Sequence, residues 1–176
     1  MKTINQNINN WNHEFVEMSK GLGLSNAKCG RKAEWIDYFL LGQFIFMCPF
    51  PDYKKKGYVE DDYCDWIWAQ AGLERPMVNE SMSWLASNGY ISQIHIDKSR
   101  LAYQVPQWVL DKAEARKTKR LIDEMDALIS ELEKVSQDES GIAYLRSERD
   151  SLKKKYDMLI SRLKNVDCGV CEEAER

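Results

Sequence analysis

The chain reads as mainly α-helical, with one small β-hairpin in its middle and a C-terminal antiparallel helical hairpin of coiled-coil type. Three observations predict this. Apolar residues recur at steps of three and four over most of the length. Two short runs, Ile91 to Ile96 and Leu101 to Val105, alternate in character on either side of Asp97-Lys98-Ser99-Arg100, the pattern of two paired strands. Two heptad stripes fill the charge-rich last third, with Ser136 to Gly141 between them as a turn.

In chain order, Ile4, Ile8, Trp11, Phe15 and Met18 form one stripe of an amphipathic helix. Thr3 and Gln6 stand at capping-box spacing, and Gly21 and Gly23 stop the helix. After the basic residues Lys28, Arg31 and Lys32, the stretch from Ala33 to Met47 is apolar nearly all round and predicts a central buried helix. Pro49 and Pro51 end it. Lys54-Lys55-Lys56-Gly57 is expected as an exposed turn, with a short strand at Tyr58-Val59. Glu60-Asp61-Asp62 suits a helix N-terminus, where the backbone dipole is positive. That helix turns Tyr63, Trp66, Ile67 and Ala71 inward and finishes at Gly72. The next has Pro76 in its first turn, buries Val78, Met82 and Leu85, and ends at Gly89.

In the last third, Leu121, Met125, Leu128, Leu132 and Val135 make one stripe. Ile142, Leu145, Leu152, Tyr156, Leu159, Leu163 and Val166 make the other. Folding about the turn sets Val135 against Ile142, Leu132 against Leu145, Met125 against Leu152 and Leu121 against Tyr156, with Leu128 opposite Arg149. A single long helix would instead carry a three-residue stammer and a mid-helix glycine, so the hairpin is preferred. The organisation expected is an N-terminal helix and linker over 1–30, a compact module over 31–106, the helical hairpin over 107–166 and an acidic tail over 167–176.

The stretch Tyr58 to Val105 resembles a winged helix-turn-helix domain. The resemblance rests on Ala69-Gln70-Ala71-Gly72-Leu73, on the helix Arg75 to Asn88, and on its ending, Leu85-Ala-Ser-Asn-Gly89-Tyr-Ile91. There leucine locks the helix to the core, glycine permits a left-handed cap and isoleucine begins the first wing strand. The arms that follow resemble those of PadR-type regulators, in which helices after a winged module mediate dimerisation. The resemblance implies a DNA-binding transcriptional regulator acting as a homodimer on double-stranded DNA. By position, Arg75, Asn79, Glu80 and Ser83 would face the major groove, with Lys98 and Arg100 at the wing tip. Asparagine can read adenine, and glutamate can accept from cytosine. Winged modules also bind proteins, so an adaptor or inhibitor, such as a host- or defence-modulating protein of a mobile element, is the second expectation.

Charge bears on both. The formal net charge of −3 is not that of a typical polyanion binder, so phosphate contacts need a local basic surface. Lys112, Arg116, Lys117, Lys119 and Arg120 supply one, with Arg116 and Lys117 counted as DNA contacts, unless these cations only solvate the helix and pair with Asp111 and Glu114. Ile122, Ile129 and Ile160 widen the apolar stripes beyond one hairpin's needs and, with Leu159, are expected at a dimer interface.

Cys168-Gly-Val-Cys171 has the spacing of half a zinc site, which Cys48, Cys64, His95 or a second copy would complete; the alternative is an acidic tail with two free thiols. No arrangement suggests catalysis: His13 and His95 are the only histidines, and Gly21-Leu-Gly23 follows a helix rather than a strand. The apolar run Trp35 to Phe50 is too short for a membrane span and is broken by Asp37 and Gln43. With no apolar leader after Lys2 and an odd number of cysteines, a cytoplasmic protein with reduced thiols is expected.

Overall fold

The computed structural model describes residues 13–24, 30–60, 68–69, 71–97, 100–135 and 139–172, the last six as backbone only. The first two turns expected of the N-terminal helix, the acidic residues Asp61, Asp62 and Asp65, Lys98, and the side chains of Cys168 and Cys171 lie outside the described set. The chain divides into two compact units, Met1–Val109 and Leu110–Arg176.

The first unit contains a helical stretch at 13–19, then α1 (Trp35–Met47), α2 (Pro51–Lys56), β1 (Val59–Glu60), α3 (Arg75–Ser87), β2 (Ser92–His95) and β3 (Leu101–Gln104). Helix α1 is its centre, as its all-round apolar character predicts. Ile36, Phe39, Leu40, Leu41 and Phe44 are buried on several sides of it. Phe15 packs its ring 5.6 Å from Phe39 and 5.4 Å from Phe46. The stretch at 13–19 comes so close that a Cβ at Gly42 would lie 1.7 Å from the Phe15 carbonyl oxygen. Only glycine allows that approach.

The exposed turn expected at Lys54–Gly57 is the end of a short helix. Pro51, expected only as a stop for α1, sits in the first turn of α2, where a missing N–H costs nothing. Lys54, Lys55 and Lys56 occupy its last turn, beside the negative end of the dipole, and Gly57 closes it at φ 78°. The strands form an antiparallel sheet of order β1-β3-β2, with Val59 opposite Tyr103 and Ser92 opposite Gln104. Because β3 is central, adjacent residues Ala102 and Tyr103 are both buried, where simple alternation had predicted only one. Helix α3 ends as expected: Gly89 is left-handed at φ 73°, and the Tyr90 N–H returns to the Leu85 carbonyl at 2.9 Å. The order α1, α2, β1, α3, β2, β3 among the described residues is compatible with the winged-helix arrangement.

The second unit is an antiparallel hairpin of α4 (Gln107–Val135, entering from the first unit) and α5 (Glu139–Glu172). Cross-arm ion pairs confirm its direction: Asp126 to Arg149 at 3.0 Å, Asp126 to Lys153 at 3.5 Å and Glu133 to Arg146 at 2.6 Å. The stripe on α4 is rotated by one position from the expected one. Ile122 and Ile129 are 2% and 4% exposed, whereas Leu128 and Val135 are 44% and 82% exposed. With the isoleucines inward, Asp126 and Glu133 fall where the cations of α5 reach them. The Arg149 guanidinium donates to Asp126 and Asp150, and Leu128 stays 44% exposed.

Candidate nucleic-acid interface

The site is built from α3 and the β2–β3 hairpin. Helix α3 has two faces because Val78, Ser81, Met82, Trp84 and Leu85 recur at helical spacing and pack inward. Arg75, Pro76, Met77, Asn79, Glu80 and Ser83 are exposed.

The inward face is held by a buried charge. Asp37, on α1, is fully buried, and both of its carboxylate oxygens are saturated. Oδ2 accepts from Arg31 Nη1 at 2.6 Å and from the Glu34 N–H at 2.7 Å. Oδ1 accepts from Arg31 Nη2 at 3.0 Å and from Ser81 Oγ at 2.5 Å. The Arg31 carbonyl accepts from Trp84 Nε1 at 2.9 Å, and its guanidinium lies 5.5 Å from the Trp84 ring centre. Hydrogen bonding to Asp37 holds that guanidinium charged, its pKa above the ordinary arginine value. A second buried polar residue of α1, Gln43, accepts from Trp68 Nε1 at 2.8 Å. The Arg75 guanidinium then lies over Trp68, 5.3 Å from the ring centre. The two residues that interrupt the apolar run thus fix the roll of α3 and the position of Trp68 beneath it.

Among the expected groove-facing residues, Asn79 and Ser83 are exposed in mid-helix. Arg75 is at the N-terminal end, steered by Trp68. The Glu80 carboxylate is 3.3 Å from Arg31 Nε, so its charge is partly offset by the same arginine that neutralises Asp37. At the hairpin tip, Arg100 is exposed, but its guanidinium is 2.6 Å from Asp97 and 4.0 Å from Glu60. Glu60 is also paired with Lys56 at 2.7 Å. Arg116 and Lys117 are exposed on α4, in the other compact unit. Their neighbours Lys119 and Arg120 are paired one turn along, with Asp123 at 2.7 Å and Glu124 at 3.3 Å, the solvated-helix alternative for those two. Asp111 and Glu114 also pair with cations of α5, Arg162 and Lys155.

The residues expected at a dimer interface fall elsewhere. Ile122, Ile129 and Leu159 are buried within the single chain, Leu159 at 6%, and Ile160 is half-buried. The apolar surface left over on the arms is carried by Leu128, Val135, Tyr144, Met158 and Val166.

Among the described residues no group of three or more His, Cys, Asp and Glu could hold a metal ion. Cys48 is a core thiol that donates to the Phe44 carbonyl at 3.1 Å, and burial pushes its pKa up to about 11. His95 is exposed on β2. No described helix is long and apolar enough to cross a membrane.

Sequence reasoning missed Arg31, Asp37 and Ser81. Its available signal was one carboxylate inside an otherwise apolar helix with an arginine six residues earlier, since a buried charge needs a partner.

No protein-family model and no curated protein matches the chain. A solved structure described as a transcriptional regulator is similar over 94% of this chain and 99% of its own, at 15% identity and a TM-score of 0.37. Those values are too low to assign fold or function.

Proposed function

We propose that the protein is a DNA-binding transcriptional regulator of the winged helix-turn-helix type that acts as a homodimer. The observation that carries this reading is the two-faced α3. One face is bolted to α1 through Asp37 and Ser81, and the other offers Arg75, Asn79 and Ser83 to solvent. A docking helix needs that rigidity, because hydrogen bonds to base edges in a major groove tolerate little displacement. Arg75 and Asn79 are the base-reading candidates, Ser83 a phosphate or base contact, and Lys98 and Arg100 the wing contacts. Offset by Arg31, Glu80 is a weaker obstacle to phosphate than a free carboxylate would be.

A second reading, docking on a protein, is favoured by one observation. Arg75 is the only basic residue in the sequence of α3, and Met77 beside it is 48% exposed. Such a face suits a mixed polar and apolar partner surface as well as phosphate.

The two readings separate in a duplex-binding titration across salt. The first expects binding at low salt that weakens steeply as salt rises. Asn79→Ala with Lys98→Ala and Arg100→Ala should weaken it about tenfold or more and flatten the salt slope by about one for each cation withdrawn from a phosphate. A folded protein without duplex binding at low salt would transfer the assignment to a protein partner.

A further inference from the structure

The two flanks of the C-terminal hairpin are chemically unlike. Along one, Asp126 and Glu133 of α4 meet Lys153, Arg149 and Arg146 of α5, so that flank is closed by charge. The other carries Leu121, Leu128 and Val135, spaced by seven along α4, and Tyr144 and Met158, spaced by fourteen along α5. Of these, Leu128, Val135, Tyr144 and Met158 are between 44% and 82% exposed. An apolar line sustained at heptad spacing is the mark of a helix-packing seam, and here it has no partner within the described chain.

The same flank is polarised from end to end. Near the base of the hairpin it carries Lys117, Lys155 and Arg162, with Glu114 and the buried Asp111 as the acids beside them; near the tip it carries Glu124, Glu131 and Glu148. Lys155 and Arg162 are about half exposed even while paired with Glu114 and Asp111. Two hairpins laid parallel on this flank would set like charges at each end. Laid antiparallel, they set base cations against tip carboxylates and bring Leu121 and Met158 of one copy level with Leu128 of the other.

We infer that this leucine flank receives a second copy of the chain, the two hairpins packing antiparallel, tip against base, as a four-helix bundle. The inference deepens the homodimer of the proposed function by naming its surface and direction. It does not depend on what α3 binds. Lys117 of each copy faces Glu131 of the partner subunit, so the symmetric interface contains that pairing twice.

Sedimentation velocity on the full chain tests it, with circular dichroism confirming helix content. The wild type should be dimeric at micromolar concentration. Lys117→Glu and Glu131→Lys should each weaken the dimer about tenfold, since a surface pairing is turned repulsive in two symmetry-related places. Combined, they should restore affinity to within about threefold of wild type. Restoration is specific to the antiparallel arrangement; in a parallel one Lys117 and Glu131 stay at opposite ends of the bundle and never face each other, so combining the reversals restores nothing. Leu128→Glu with Met158→Glu, both exposed in the single chain, should give a folded monomer. A dimer that survives this pair, or a combined reversal no better than the single ones, overturns the surface while leaving a dimeric regulator standing. A wild type that is monomeric at high micromolar concentration overturns the homodimer itself. Duplex binding enters neither outcome.

Discussion

The two compact units solve the problem of burial differently. The first surrounds α1 on several sides, so that Phe39, Leu40, Leu41 and Phe44 are wholly buried, and it can enclose a charge because enough polar groups converge to satisfy it. The second has only two helices. A pair of helices shares one seam, and the remaining faces of each look outward. Ile122, Ile129, Ile142 and Leu159 fill that seam, and apolar residues beyond them stay exposed. The lesson is that self-sufficiency depends on the number of layers around a helix rather than on the count of apolar residues. The unit with spare layers can hold a rigid two-faced helix, and the one without them keeps apolar side chains in solvent.

The sharpest way to break the contrast is to remove the enclosed charge. Asp37→Ala strips four hydrogen bonds at once and leaves Arg31 without its buried counter-ion and Ser81 without an acceptor. Breaking a buried pair from one side costs about 3 to 5 kcal/mol, a large share of the stability of a domain this size. Urea unfolding should show that loss. Arg31→Met should cost at least as much, because it leaves the fully buried Asp37 carboxylate with only Ser81 and the Glu34 N–H, whereas after Asp37→Ala the part-exposed Arg31 keeps Glu80 and water.

A smaller effect is expected where backbone meets backbone. At an exposed helix position, replacing glycine with alanine stabilises by about 1 kcal/mol. At Gly42 the sign should reverse. The new methyl group would lie 1.7 Å from the Phe15 carbonyl oxygen, so the stretch at 13–19 must lift away from α1. Overpacking of this kind costs about 1 to 3 kcal/mol. Alanine at Gly42 that raises the unfolding midpoint would show that 13–19 contributes little to the first unit.

Much of this architecture was legible because its determinants are local. The order of elements, the left-handed Gly89, the antiparallel arms and the centrality of α1 all follow from periodicity and punctuation within short windows. What was not legible depends on pairing across distance. Asp37 and Gln43 looked like interruptions of an apolar run; their partners Ser81 and Trp68 lie far along the chain, and no spacing rule links them. On α4 the sequence offers two adjacent apolar lines, Leu121-Leu128-Val135 and Ile122-Ile129. Periodicity cannot choose between lines one residue apart. The choice is made by the flanking charges, since only the isoleucine line brings Asp126 and Glu133 to the cations of α5. The candidate site was legible in outline: Asn79 and Ser83 are exposed as expected, but the pairing of Glu80 with Arg31 and of Arg100 with Asp97 is tertiary or turn geometry that a residue list does not contain.

That choice of line yields the finest test, on neighbouring residues. Ile129 is 4% exposed and Leu128 is 44% exposed. If the seam runs through the isoleucines, Ile129→Ala removes packed atoms from between the arms and costs about 2 to 3 kcal/mol, as large-to-small changes in a core do. Leu128→Ser should change the unfolding free energy by less than about 0.5 kcal/mol, the range for surface positions, provided protein is dilute enough to be monomeric. If the inferred dimer forms, the gap between the two variants should narrow at higher concentration, because association would add to the apparent stability of the wild type and Leu128→Ser would forfeit that gain. Concentration therefore separates what a residue does for its own hairpin from what it does for a second one. Equal losses for both variants in dilute solution would mean that both lines are buried in the monomer, and the contrast between a self-sufficient unit and an open one would not hold.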